Sequence, residues 1–164
     1  MLKVGELILY ETVGVCRVKD ISKLAFLKND RVYYSIVPVF EKDTVIYVPV
    51  DNDKVKIRPV MTRNEAEEFI DQLPFIESRR DINEKERETV YKQILLSGDR
   101  RAWAGMIKGI FETWQARKSR GSRLAVRDEE IMKRTQKLLY GELAAALGLR
   151  PEEVPAYIER RLGR

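Results

Sequence analysis

Histidine is absent from the chain, and cysteine occurs once, at Cys16. The first absence removes imidazole acid–base chemistry and any Ser–His or Cys–His nucleophile. The two together exclude a disulfide within the chain and leave too few ligands for a protein zinc site, so neither metal nor cofactor is expected. Glycine-rich phosphate loops are missing as well. Gly105 and Gly109 stand four apart on a helical segment, a spacing that suits close packing, and they lack the apolar span that membrane pairing requires. No apolar run reaches the roughly 18 residues of a membrane helix. No leader pattern precedes the first strand-like segment, so a reducing cytoplasm is the expected compartment.

What is present is a chain of 164 residues, 44% hydrophobic and 35% charged, enough for one domain or two small ones. Lys and Arg number 31 against 26 Asp and Glu, a net charge of +5. That is a mixed surface, compatible with nucleic acid but not a basic block.

The first 60 residues alternate with a period of two. In Asp43–Val60, Val45, Tyr47 and Pro49 share one face of a strand, and Ile46, Val48 and Val50 share the other. Asp51-Asn52-Asp53 reads as a tight turn, after which Lys54–Arg58 returns with Val55 and Ile57 inward and three cations outward. The open edge of this pair is expected to grip a partner. Earlier strands are expected at Val4–Tyr10, Val15–Ile21 and Arg31–Phe40, with a break at Glu11–Gly14 and Pro38 at an edge or bulge. Ser22–Asp30 reads as a linking loop, although it carries Leu24, Phe26 and Leu27. Five short strands joined by short turns suggest a small barrel of SH3 or Tudor type.

After Met61 the period changes. Thr62 and Glu65 form a capping box for a helix to about Leu73, and Phe75–Ile82 is a linker. Asn83 is placed to cap Glu84–Leu96, and Asp99 to cap a third helix striped by Trp103, Met106, Ile107, Ile110, Phe111 and Trp114. Asp128 is placed to cap a fourth, ended by Gly148, and Pro151 opens the last, Glu152–Leu162. The expected class is α+β: a β-barrel in residues 1–60, then an all-α bundle of about five helices in 61–164.

No convergent catalytic set emerges, and an enzyme is not expected. The carboxylates cluster in first helical turns, where the helix dipole favours them. Cys16 reads as a small core residue. Trp103 and Trp114 share a core stripe, although an aromatic can also wedge between base steps. Tyr47 either fills the barrel or stands exposed on an edge strand that a partner strand joins. Arg117, Lys118, Arg120 and Arg123 gather at a helix end, where cations suit both the helix terminus and a phosphate backbone.

Four segments recur in a familiar order: V-G-E-L-I-L-Y followed by G-V-C-R-V, then Y-V-P-V-D-N at Tyr47–Asn52, S-G-D at Ser97–Asp99 and L-L-Y-G-E-L-A at Leu138–Ala144. They resemble the CarD/CdnL family of bacterial transcription regulators over essentially the whole chain. The first half is also similar to the polymerase-interacting domain of transcription-repair coupling factor. The resemblance implies that Thr44, Val45, Ile46, Tyr47 and Val48 form an edge strand that joins the β subunit of RNA polymerase. It implies a helical domain at the upstream edge of the promoter bubble, modulating the open complex, in a monomeric, nucleoid-associated protein. Departures fall at Tyr47 and, to a larger extent, in the helical domain. Tyr47 stands where a family arginine contacts polymerase, and Glu84 where many members carry a wedging tryptophan. Glu86, Thr89 and Glu129 replace expected cations, and Arg87 remains. Promoter DNA backbone contacts then fall to Arg87, Arg117, Lys118, Arg120, Arg123 and Arg134. The alternative is a protein–protein adaptor whose helical domain docks another protein without touching DNA.

Overall fold

The computed structural model describes residues 1–11, 13–80 and 83–164. Thr12 of the expected break, and Asp81 and Ile82 of the expected linker, lie outside the described residues. The chain divides into two compact units, Met1–Val60 and Met61–Arg164.

The first unit is one antiparallel sheet. Its strands are β1 (Leu7–Tyr10), β2 (Gly14–Lys23), β3 (Val32–Pro38), β4 (Ile46–Pro49) and β5 (Ile57–Pro59), in the order β4-β3-β2-β1-β5. The expected barrel is not closed. β4 and β5 do not form a hairpin but occupy opposite edges of an open sheet. The reason lies in the intervening segment. Asn52 Oδ1 accepts the N–H groups of Lys54 and Val55 at 3.0 and 3.2 Å, and its Nδ2 donates to Val55 O at 3.0 Å. This Asx-centred loop leads the chain away from β4, and Ile57 pairs with Tyr10 of β1 instead. The sheet still wraps one core of Ile8, Cys16, Val18, Tyr34, Ile36 and Val48, against which Ile46 and Ile57 pack from the two edges. A register shift between Val18 and Asp20 marks the bend that β2 needs to do this. Pro38 costs no ladder bond. Val39 N–H donates to Val15 O at 3.0 Å, so by alternation the nitrogen of Pro38 faces the β4 side, and β4 begins only opposite Ile36.

The second unit comprises α1 (Arg63–Gln72), α2 (Arg87–Leu96), α3 (Arg100–Ser119), α4 (Val126–Leu147) and α5 (Val154–Arg161). Thr62 and Glu65 exchange both bonds of the capping box, at 3.0 and 3.1 Å. Asp99 Oδ1 accepts from Arg101 and Ala102 N–H at 2.9 and 3.2 Å, and Gly148 ends α4 at φ 69°. Two expected caps differ. Asn83 bonds Lys85 N–H at 3.1 Å, but α2 begins later, at Arg87, with no side-chain cap. Asp128 lies inside the first turn of α4, buried, 3.4 Å from Arg87 Nε, so its carboxylate serves a guanidinium instead of the helix start.

Trp103 is fully buried, its Nε1 donating to Ile94 O at 3.0 Å and Leu95 O at 3.2 Å. It packs in the same helical core as Met106, Ile110, Leu138, Leu143 and Val154. The stripe fades along α3: Trp114 is half-buried and Phe111 exposed. Glu142 is wholly buried, accepting Met61 N–H at 3.1 Å and lying 3.7 Å from Arg100. The segment after α1 crosses α3 at its two glycines, with Arg79 N–H donating to Gly105 O at 2.9 Å. Among the described residues, no helix is long and apolar enough to cross a membrane.

Candidate docking edge

β4 pairs with β3 alone, through Tyr33↔Pro49, Tyr34↔Val48, Ser35↔Tyr47 and Ile36↔Ile46. Val50 N–H donates to Val32 O at 3.0 Å, which sets the phase of this ladder. Hydrogen-bonded and non-bonded pairs alternate in an antiparallel ladder. Ile46 and Val48 therefore spend their N–H and C=O groups on β3. Tyr47 turns both of its groups to the outer rim; Pro49 turns its carbonyl there too, but that oxygen already accepts Asn52 N–H at 3.0 Å. No strand among the described residues takes them. Of the five residues expected at this edge, Ile46, Tyr47 and Val48 lie in β4, while Thr44 and Val45 lead into it and are exposed.

The side chains divide as the alternation requires. Val48 is buried in the core and Ile46 half-buried against it. On the other face Tyr47 is 42% and Val45 49% exposed. Phe26, 65% exposed, meets Tyr47 edge to face, with ring centroids 5.3 Å apart and planes at 65°. Phe26 belongs to the loop between β2 and β3. That loop is tied to the same face: Asn29 Nδ2 donates to the Tyr33 hydroxyl at 3.2 Å, and the Arg31 guanidinium lies 5.9 Å from the Tyr33 ring centre. Arg31 also pairs with Asp51 at 3.0 Å, and this hydrogen bond holds the Asp51 carboxyl below its usual range. Phe26 is the functional candidate that the sequence reading passes over. Its signal is the apolar run Leu24, Phe26 and Leu27 inside a linking loop.

The opposite rim is less inviting. Glu11 N–H donates to Lys56 O at 3.0 Å, so only Ile57 within β5 offers both groups outward, and Pro59 follows. Exposed Lys54 and Lys56 precede that strand and discourage pairing.

The expected DNA-facing cations do not form one set. Arg117, Lys118, Arg120 and Arg123 are brought together by the end of α3 and the turn after it, where Arg117 O accepts from Arg120 and Ser122 N–H at 3.0 and 2.8 Å. Lys118 Nζ lies 5.0 Å from the Trp114 ring centre. Arg134 is exposed farther along α4. Among the described residues, Arg117, Arg120, Arg123 and Arg134 make no ion pair, which leaves their guanidinium groups for an outside anion. Arg87 differs: its side chain is 23% exposed and occupied by Asp128. Glu84 is exposed ahead of α2, and Glu129 pairs with Lys133 at 3.0 Å.

The first unit is thus an open sheet whose β4 rim is unpaired among the described residues and flanked by two aromatic rings. Residues 2–61, nearly all of them in the first unit, match the family model of the CarD-like/TRCF RID domain. The match ends where α1 begins and leaves the helical unit outside it. No match is found among curated proteins.

Proposed function

We propose that the chain is a transcription regulator that docks on the β subunit of RNA polymerase by adding a strand to β4, and that its helical unit modulates open-complex formation. The observation that carries this reading is the unpaired rim of β4 in a domain of the RID family. Main-chain pairing needs no particular side chain, so Tyr47 at the position of the family's arginine does not remove it. Arg117, Lys118, Arg120, Arg123 and Arg134 supply phosphate contacts, which tethering to polymerase makes effective even when each is weak. Contacts made only in the open complex shift the closed–open balance by their differential free energy.

Tyr47→Pro tests the docking step. The Tyr47 N–H faces outward, so the substitution spares the β3–β4 ladder and removes a donor only from the rim. Ile46→Pro is the poorer test, because the Ile46 N–H belongs to the ladder. Full-length Tyr47→Pro protein is expected to lose capture of RNA polymerase while keeping its circular dichroism spectrum. Undiminished capture rules the reading out.

A second reading, an adaptor whose helical unit binds protein and not DNA, is favoured by Arg87 being spent on Asp128 and by Glu84 at the wedge position. Salt separates the two. Phosphate contacts predict affinity for forked promoter DNA that falls steeply with ionic strength. An adaptor predicts no binding to that DNA and a flat salt response with its partner.

A further inference from the structure

We infer that the strand received by β4 is selected by an apolar side chain seated against the Phe26–Tyr47 pair. The inference rests on the docking reading above and specifies the chemistry of the partner at that same edge.

The rim is short in main-chain terms. Tyr47 offers a donor and an acceptor, while Pro49 has no N–H and its carbonyl already accepts Asn52 N–H at 3.0 Å. So few bonds, each exchanged against water, give little affinity and no selectivity. Selectivity must come from side chains on the exposed face, and those present are apolar. Phe26, Val45 and Tyr47 are 65%, 49% and 42% exposed, and two of them are already in ring contact. In an added strand, the residue opposite Tyr47 projects its side chain on the same face, about 5 Å away. At that distance a β-branched, leucine or aromatic side chain covers the Tyr47 ring and meets the Phe26 edge. The ionic groups beside the rim, Arg31 and Asp51, are already paired with each other at 3.0 Å. An incoming carboxylate therefore finds aromatic surface at Tyr47 and a satisfied guanidinium beyond it. The Phe26 loop is held by the Asn29–Tyr33 bond, so the aromatic pair is in place before the partner arrives.

The test is equilibrium binding of full-length variants to purified cognate RNA polymerase core enzyme. Phe26→Ser and Tyr47→Ser are each expected to weaken binding by about tenfold. Tyr47→Arg is expected to weaken it at least as much. Wild-type affinity should change little between about 0.1 and about 0.5 M salt, where an ion pair would be screened. Both positions changed are exposed, and thermal melts verify that each variant folds. Wild-type affinity in Phe26→Ser and Tyr47→Ser, or tighter binding by Tyr47→Arg, overturns the inference. If Tyr47→Pro abolishes binding while those three variants bind normally, docking at β4 stands and apolar selection falls. If Tyr47→Pro itself binds normally, the docking reading fails and takes this inference with it.

Discussion

Replacing glycine by alanine inside a helix ordinarily stabilises it by about 1 kcal/mol. Gly109→Ala should do the opposite. A Cβ at Gly109 would lie 2.7 Å from the carbonyl carbon of Arg79 and 3.2 Å from its nitrogen, with the Arg79 oxygen nearer still. Ordinary contact begins near 3.4 Å, so the carbonyl carbon must retreat by at least 3.4 − 2.7 = 0.7 Å. The obstacle is backbone, not the end of a flexible side chain. Retreat strains three bonds that hold this segment on α3: Arg79 N–H to Gly105 O at 2.9 Å, Ser78 Oγ to Glu112 at 2.8 Å and Arg80 Nε to Glu112 at 3.0 Å. Overpacking costs about 1–3 kcal/mol, and a lost hydrogen bond costs about 1 kcal/mol more. Against the propensity gain, the net loss is about 2 kcal/mol, a fall in Tm of roughly 10 °C for a domain of this size. Gly105→Ala is the graded comparison. It gains the same propensity but its Cβ meets the backbone oxygen of Glu77 at 2.9 Å, with Ile76 Cγ2 in ordinary contact at 3.9 Å, so it should lose less stability than Gly109→Ala. Thermal unfolding followed by circular dichroism reads both. A Gly109→Ala protein as stable as wild type, or more so, would show that the segment does not lie across α3 as described.

Three further expectations follow from buried groups. Glu142→Leu removes the acceptor of Met61 N–H and the buried counter-charge of Arg100, and should cost about 2–4 kcal/mol in urea unfolding; a loss below about 0.5 kcal/mol would refute that role. Arg87→Gln strands the buried Asp128 carboxylate, so it should destabilise the helical unit by about 2 kcal/mol, and Asp128→Asn should recover part of that loss. An unchanged Tm with weakened DNA binding would return Arg87 to a DNA-contacting role. Burial first, and then Glu41, push the Cys16 thiol up from 9.0 to about 12. A raised value favours the neutral thiol in the fold, so this contribution is complete below pH 9.0 and is lost as pH rises towards about 12. Thiol reagent at pH 8 should therefore label Cys16 only after the sheet unfolds, and immediate labelling of native protein would contradict its burial.

Local chemistry is what the sequence makes legible. The period of two puts Ile46 and Val48 on one face and Val45 and Tyr47 on the other, because alternation along a strand is a property of the strand itself, but which face is the core is settled only by the packing of Val48. The capping box at Thr62 and Glu65, the cap at Asp99 and the stop at Gly148 are likewise complete within a few residues. Pairings over distance are not legible in this way. Asp128 has the composition of a cap but lies buried against Arg87, a partner 41 positions away in the chain (128 − 87 = 41). Phe26 looks like a loop residue until β3 and β4 bring Tyr47 beside it. Trp103 and Trp114 share a stripe, yet the bundle core covers one and only half-covers the other, and nothing in their spacing marks the difference.

The topology of the first unit shows the same limit and explains why its edge is usable. Two strands joined by Asp51-Asn52-Asp53 look like a hairpin, and a hairpin would have consumed the rim of β4 facing β5. Asn52 instead turns its side chain on the loop it sits in, and Tyr10 takes Ile57 at the far edge. β4 is left with one neighbour. Which groups it then exposes depends on ladder phase, which a single strand's sequence does not carry. Val50 to Val32 sets that phase and turns Tyr47 outward in both senses, its side chain on the exposed face and its amide on the rim. Had the register slipped by one residue, Tyr47 would point into the core and Val48 would offer its amide to the rim. The aromatic contact with Phe26 and the free amide are thus two consequences of one pairing register, and a change that shifts the register should remove both together.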